Sequence, residues 1–223
     1  MKCIIYLHYR KGDIMSKKYY VTNEFLSALT HAIGIGLSIW GVCLLMIKGM
    51  KLNSGIALIS LSIYSITLIA LYLFSTLFHT FYFTKLKHFF QCLDHCGISL
   101  LIAGTYTPYC VLAIKGKTGS MLLIGIWLLA IGGITYHLFA QKRKQVIETT
   151  LYVIMGWFCL FGARPLLQSL NFNETFFLIL GGVIFTLGAL VYSIKNLKFA
   201  HVIWHLLVMG GTLCMFLSLY WFI

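Results

Sequence analysis

Proline, acidic residues and polar stretches are what this sequence has least of. Two prolines among 223 residues leave almost every segment free to run as unbroken helix. Only 10% of the residues are charged, and just five of those are Asp or Glu. Soluble globular domains carry roughly 25% charge, so that class is excluded. There is no internal repeat, no low-complexity tract and no Pro-, Gly- or Ser-rich linker that would divide the chain into domains. A disulfide framework is absent too: the seven cysteines are odd in number, lie mostly within apolar runs and follow no framework spacing, so they are read as small buried apolar residues. The first fourteen residues, MKCIIYLHYRKGDI, hold an apolar patch too short and wrongly flanked for a cleaved signal peptide, and Met15 is an alternative first residue.

What is present is apolar: 60% of the chain is hydrophobic. A span needs about 20 apolar residues to cross the hydrocarbon core. Charge clusters and Gly/Asn breaks divide the chain into seven such runs, near 24–47, 53–81, 89–113, 119–140, 147–168, 175–194 and 199–222. The expected fold is an all-α integral membrane bundle of seven antiparallel helices over 24–223, preceded by a cytoplasmic tail, 1–23. Glycine pairs at 132–133, 181–182 and 210–211 suit close helix packing in lipid. The 17 Lys and Arg fall between the runs, where they meet anionic headgroups, so membrane lipid is the expected partner and nucleic acid is not. Twelve of them lie on one side: Lys2, Arg10, Lys11, Lys17, Lys18, Lys85, Lys87, Lys142, Arg143, Lys144, Lys195 and Lys198. Lys48, Lys51, Lys115, Lys117 and, near a span end, Arg164 make up the other. The imbalance predicts a cytoplasmic N-terminus and an external C-terminus, and it survives a start at Met15.

Ionisable groups within spans are costly and mark function by default. With alternating helices, Glu24 and His31 of the first span, Ser75 and His79 of the second, Asp94 of the third, His137 of the fourth and His201 and His205 of the seventh all come to the cytoplasmic end. His201 and His205 are four apart and share a helical face. With His79 they offer three imidazoles and an open fourth position, the ligand set of a catalytic zinc. Asp94 then serves as general base or outer-sphere partner of the metal-bound water, and Ser75 as a hydrogen-bond donor to a polarised carbonyl. Glu24 is expected to favour the dipole of the first helix from its first turn, and His31 to hydrogen-bond across the bundle. His88 and His95 are read as interfacial or packing residues, Cys92 and Cys96 as packing, and His137 is left open. Arg164 is expected to snorkel to headgroups, and Pro108 to kink the third helix and open a cavity.

Four motifs in order resemble the hemolysin III family of bacterial membrane proteins. They are Glu24, Thr30, His31 and Gly34 in the first span, Ser75 and His79 in the second, Asp94 in the third, and His201 and His205 in the seventh. The likeness runs from about residue 20 to the end. It extends to the adiponectin and progestin receptor superfamily and, more distantly, to alkaline ceramidases. Ser27 stands where the family commonly has Asn. The resemblance implies zinc on His79, His201 and His205, with Asp94 contacting it through water, in a bacterial cell membrane. It also implies two functions, metal-dependent hydrolysis of lipid amides or esters linked to membrane lipid homeostasis and pore-forming cytolysis; a lipid or fluidity sensor in which zinc only staples spans two, three and seven together is compatible with the same residues. Lipid hydrolysis is the mechanistic hypothesis. A single-subunit pore would need a polar stripe through the outer leaflet, and the outer half-spans are almost wholly apolar.

Overall fold

The computed structural model describes residues 17–140, 144–194 and 197–223, all in helices and short connections, with no strand among them. The charges expected at positions 2, 10, 11, 142, 143 and 195, Cys3 and the alternative start at Met15 lie outside the described residues. Eight α-helices follow in order: α1 Lys17–Met50, α2 Gly55–Thr80, α3 Lys87–Pro108, α4 Gly116–Phe139, α5 Gln145–Trp157, α6 Ala163–Ser169, α7 Phe172–Ser193 and α8 Ala200–Phe222. α3 continues as a π-helical stretch, Tyr109–Ile114, and α5 joins α6 through a 3₁₀ turn, Phe158–Gly162. These make the seven membrane-length spans that the apolar runs predict.

Two boundaries differ from expectation for physical reasons. α1 starts at Lys17, not near residue 24, because polar residues at 17–23 can extend a helix past the hydrocarbon edge without a break. Glu24 therefore sits two turns inside the helix, and the first-turn dipole role expected for it does not apply. The fifth span is not one helix but two short ones with a tighter turn between them. In the third span the break at Pro108 does occur: the ring cannot donate a backbone hydrogen bond, and the chain widens to π-helix immediately after it. Ser54 caps α2 by accepting a hydrogen bond from the Ala57 amide, and Asn171 and Glu174 form a reciprocal capping box at α7.

The outer surface carries the apolar side chains that a soluble protein would bury, among them Phe25, Trp40, Ile59, Ile124, Phe161 and Leu190. Such a continuous apolar belt suits lipid as solvent. Inside, one core joins α1, α2, α3, the π-helical stretch, α6 and α8 through Leu45, Leu61, Tyr64, Leu68, Leu101, Tyr109, Leu166, Val208 and Leu219. A second, smaller core of Ala103, Ile126, Ala130 and Met155 joins α3, α4 and α5. In each of the three glycine pairs one member makes the close contact. A Cβ at Gly181 would stand 3.2 Å from the Gly211 carbonyl oxygen of α8, while Gly182 faces open space. Of the described cysteines, Cys110 and Cys214 are buried as expected, whereas Cys43 is exposed on the lipid-facing surface.

Candidate metal centre

The up-and-down order brings the start of α1, the end of α2, the starts of α3 and α5, the end of α4 and the start of α8 to one end of the bundle. His79, His201 and His205 meet there, each offering one ring nitrogen to a common point. The Nε2 atoms of His79 and His201 are 3.0 Å apart, and those of His201 and His205 are 3.1 Å apart.

The outward nitrogens decide what those three atoms can be. His79 Nδ1 lies 2.7 Å from Glu24 Oε2, and His205 Nδ1 lies 3.1 Å from the Ser27 carbonyl oxygen. A carbonyl only accepts, and so does an ionised carboxylate, so both Nδ1 atoms carry protons and both Nε2 atoms present lone pairs. His201 Nε2 has at most one proton to offer two such lone pairs. Hydrogen bonding alone therefore leaves the cluster unsatisfied, whereas a cation satisfies all three nitrogens at once. The spacing is close to the edge of a tetrahedral site: nitrogens about 2.0–2.1 Å from zinc stand about 3.3–3.4 Å apart.

Around this set the remaining residues of the first-span motif act as supports. Glu24 orients His79, the carboxylate–histidine arrangement that usually stands behind a metal ligand. Its other oxygen accepts from Asn23 Nδ2 at 3.3 Å. Ser27 acts through its backbone carbonyl, which also accepts from the Thr30 hydroxyl. The Ser-for-Asn departure thus leaves this contact intact. The hydrogen bond expected of His31 across the bundle is not found: both its ring nitrogens are buried without a hydrogen-bond partner among the described residues. It stacks on the His205 ring at 3.6 Å and 10° and meets Tyr72 edge-on, so it holds the His205 ring by a flat face. Gly34 makes room for Tyr72, whose ring a Cβ there would meet at 2.6 Å. The Tyr72 hydroxyl is tied to Thr212 of α8. At the head of α8, Phe199 takes a left-handed φ of 57° and its amide donates to Tyr19 Oη, fixing where the helix bearing both histidines begins.

Ser75 and Asp94 reach the centre from one side. Ser75 Oγ is buried next to the Asp94 carboxylate and, among the described residues, makes no hydrogen bond of full geometry, so a water or ligand can still bond to it. Asp94 makes no direct hydrogen bond to the three imidazoles among the described residues. It opens instead, with Ser75, His201 and His205, onto a cavity of ≈ 370 Å³. That cavity runs on between apolar walls that include Ile98, Leu101, Tyr109, Ile114, Leu166 and Val208. Pro108 accounts for a stretch of this wall, since Tyr109, Cys110 and Ile114 belong to the π-helical segment that follows it.

One group of polar residues escaped the sequence reading. Glu148 of α5 is 7% exposed and contacts both His137 of α4 and His95 of α3. His95 is thus not simply an interfacial or packing residue, and His137 acquires a definite partner. The signal was available: Glu148 occupies the first turn of the fifth span, at the same end as His137. His88 is not a member of either cluster.

Comparison with known proteins shows the family of the chain. The family model described as Haemolysin-III related matches residues 19–216. Hemolysin-3 of Bacillus cereus is 38% identical over 204 residues, covering 92% of this chain and 93% of that protein. The hemolysin-3 homolog of Bacillus subtilis (strain 168) is 38% identical over 88% of this chain and 92% of its own length. The human monocyte to macrophage differentiation factor is 33% identical, over 66% of this chain and 63% of that protein. The chain belongs to the haemolysin-III related family, and with seven apolar helices it is a multi-pass bacterial membrane protein.

Proposed function

As a member of the haemolysin-III related family with three imidazoles at the end of an apolar cavity, this chain, we propose, is a zinc-dependent hydrolase of lipid amides or esters. The observation that supports the reading is the convergence of three Nε2 atoms, two of them on rings that line the same cavity as Ser75 and Asp94. Held by His79, His201 and His205, zinc would supply a Lewis acid and a water whose pKa falls to about 7. The chain's own groups supply the rest. The apolar walls take the acyl chain of the substrate and exclude bulk water; the cavity volume lies within the roughly 300–1,000 Å³ usual for ligand pockets. Ser75 Oγ donates to the scissile carbonyl oxygen as charge builds on it. The Asp94 carboxylate takes the proton of the attacking water and delivers it to the departing amine or alkoxide, so that a C–O bond forms as the C–N or C–O bond breaks. Glu24, Ser27 and His31 keep the imidazoles aimed throughout. The excess of Lys and Arg on the side of the chain that carries the site supports a place for it in the cytoplasmic leaflet, where an amphiphile would enter sideways from the bilayer.

A second reading follows from the same contacts. Through Glu24, Ser27, His79, His201 and His205 the centre ties α1, α2 and α8, so an ion there could serve as a staple in a sensor of lipid state. A third follows from the name of the Bacillus cereus relative, Hemolysin-3, and reads the chain as a cytolytic pore. One set of measurements separates them. Detergent-purified protein should hold zinc that His201→Ala with His205→Ala removes; a zinc-free wild type sinks the centre. Asp94→Asn should keep that zinc and lose hydrolysis of ceramides and other lipid amides. No turnover by zinc-loaded wild type on any lipid amide or ester refutes the hydrolase in favour of the staple, and dye release from liposomes by wild type favours the pore.

A further inference from the structure

Three further ligand-type side chains meet on the far side of Asp94. His137 Nδ1 stands 2.7 Å from Glu148 Oε1, and His95 Nδ1 stands 3.3 Å from Glu148 Oε2. The two rings lie nearly parallel, 16° apart with centroids at 4.7 Å, so both aim the same nitrogen at the same carboxylate. One donor atom from each residue falls within 4.8 Å of the others, as in the set His79, His201 and His205. None of the three belongs to the first centre.

The helices are built to meet at this level. Gly133 lies one turn from His137 on α4, and a Cβ there would stand 2.7 Å from Leu151 of α5 and 3.2 Å from Ser99 Oγ of α3. Leu151 and Ser99 are in turn one turn from Glu148 and His95. The missing side chain thus lets three helices close just beside the cluster. Both ion-pair contacts of Glu148 among the described residues are to imidazoles. A carboxylate buried within a span needs a positive charge beside it, which two imidazoles can supply either by taking up a proton or by holding a metal ion with it. Two imidazoles and a carboxylate are a donor set for first-row divalent cations, and the same set with an open position occurs in catalytic zinc and non-haem iron sites.

We propose that His95, His137 and Glu148 form a second divalent-cation site, separate from the His79, His201 and His205 centre and facing the same cavity. His95 and Glu148 line that cavity together with Asp94, Ser75, His201 and His205. The site does not depend on the hydrolase reading, and its test measures binding alone.

Full-length protein in detergent is stripped with chelator and titrated separately with Zn²⁺ and Co²⁺, with the metal retained after desalting counted per chain. Wild type should take two equivalents. Glu148→Gln and His137→Ala should each take one, and His201→Ala with His205→Ala should also take one. The Co²⁺ visible spectrum of wild type should equal the sum of the spectra of the two single-site variants. His95→Gln, which keeps the carboxylate and much of the packing volume, should weaken one of the two Co²⁺ binding steps at least tenfold without moving the other. A single equivalent in wild type that vanishes with His201→Ala and His205→Ala overturns the second site, as does a Glu148→Gln protein that still binds two. A wild type whose one equivalent survives those two histidine changes and is lost in Glu148→Gln supports this site while removing the first. Thermal melting of each apoprotein identifies any variant that fails to fold, in which case the His95→Gln titration decides.

Discussion

The support that Glu24 gives His79 can be isolated by one substitution, Glu24→Gln. In the native arrangement the carboxylate accepts the Nδ1 proton at 2.7 Å, in a place where Glu24 is 7% and His79 is 4% exposed. Nε2 is thereby left unprotonated and aimed at the other two histidines. Glutamine is nearly the same size but neutral. If its carbonyl accepts the proton, the tautomer is kept and only the charge assistance is lost. If its amide nitrogen turns inward, it demands a bare Nδ1, moves the proton to Nε2 and blocks a ligand. Changes to such outer partners typically cost 10- to 100-fold in metal affinity, which is about 1.4–2.8 kcal/mol. We expect Glu24→Gln in that range for Zn²⁺, measured by competition with a chromophoric chelator on detergent-purified protein. Glu24→Ala should fall at its lower-affinity end or beyond, because it leaves a buried N–H without an acceptor. His79→Ala sets the floor. A Glu24→Gln protein within twofold of wild type would refute the reasoning, since it would mean that neither charge nor tautomer at His79 matters to the ion.

Three further outcomes follow from the same geometry. His31→Phe should hold Zn²⁺ nearly as well as wild type, because the ring contributes a stacking face and no hydrogen bond, whereas His31→Ala should lower both the thermal midpoint and the affinity. Val208→Trp, which fills the cavity from α8, should leave zinc content unchanged while abolishing lipid hydrolysis; unchanged turnover would detach the cavity from the substrate. Gly104→Ala should destabilise the fold measurably in a melting assay, since the new Cβ would stand 2.0 Å from Thr67 Oγ1, and Thr67→Ala in the same chain should restore some of the loss.

Much of this is legible in the residues alone. Seven long apolar runs broken by short basic loops specify an alternating bundle, because each run must cross and each loop is too short to do otherwise. Depth then groups Ser75, His79, Asp94, His201 and His205 without any contact being known. What depth cannot supply is the azimuth of each side chain. Glu24 looks like a helix end because the apolar run starts there, while the helix itself extends two turns further through polar residues. His31 and His205 are both aromatic and both polar, and only the packing of α1 on α8 makes their faces, rather than their nitrogens, the contact. His95, His137 and Glu148 come one from each of three helices, with no four-residue spacing to announce them.

The consecutive residues Asp94 and His95 show how one helix can serve two centres. Neighbours on an α-helix project about 100° apart, so the two reach the cavity they both line from different angles and meet different partners. α3 packs against α2 on one side and against α4 and α5 on another. Asp94 accordingly shares the cavity with the groups of α2 and α8, while His95 turns to Glu148 of α5 and stacks on His137 of α4. The close approaches that set this register are steric: Gly104 against Thr67 on the α2 side and Gly133 against Ser99 on the α4 side. A shift of α3 by one residue would rotate its face by the same angle, taking Asp94 out of the cavity wall and His95 away from Glu148 together. Close packing in lipid, where no hydrophobic force holds helices together, is therefore what aims both clusters of polar side chains.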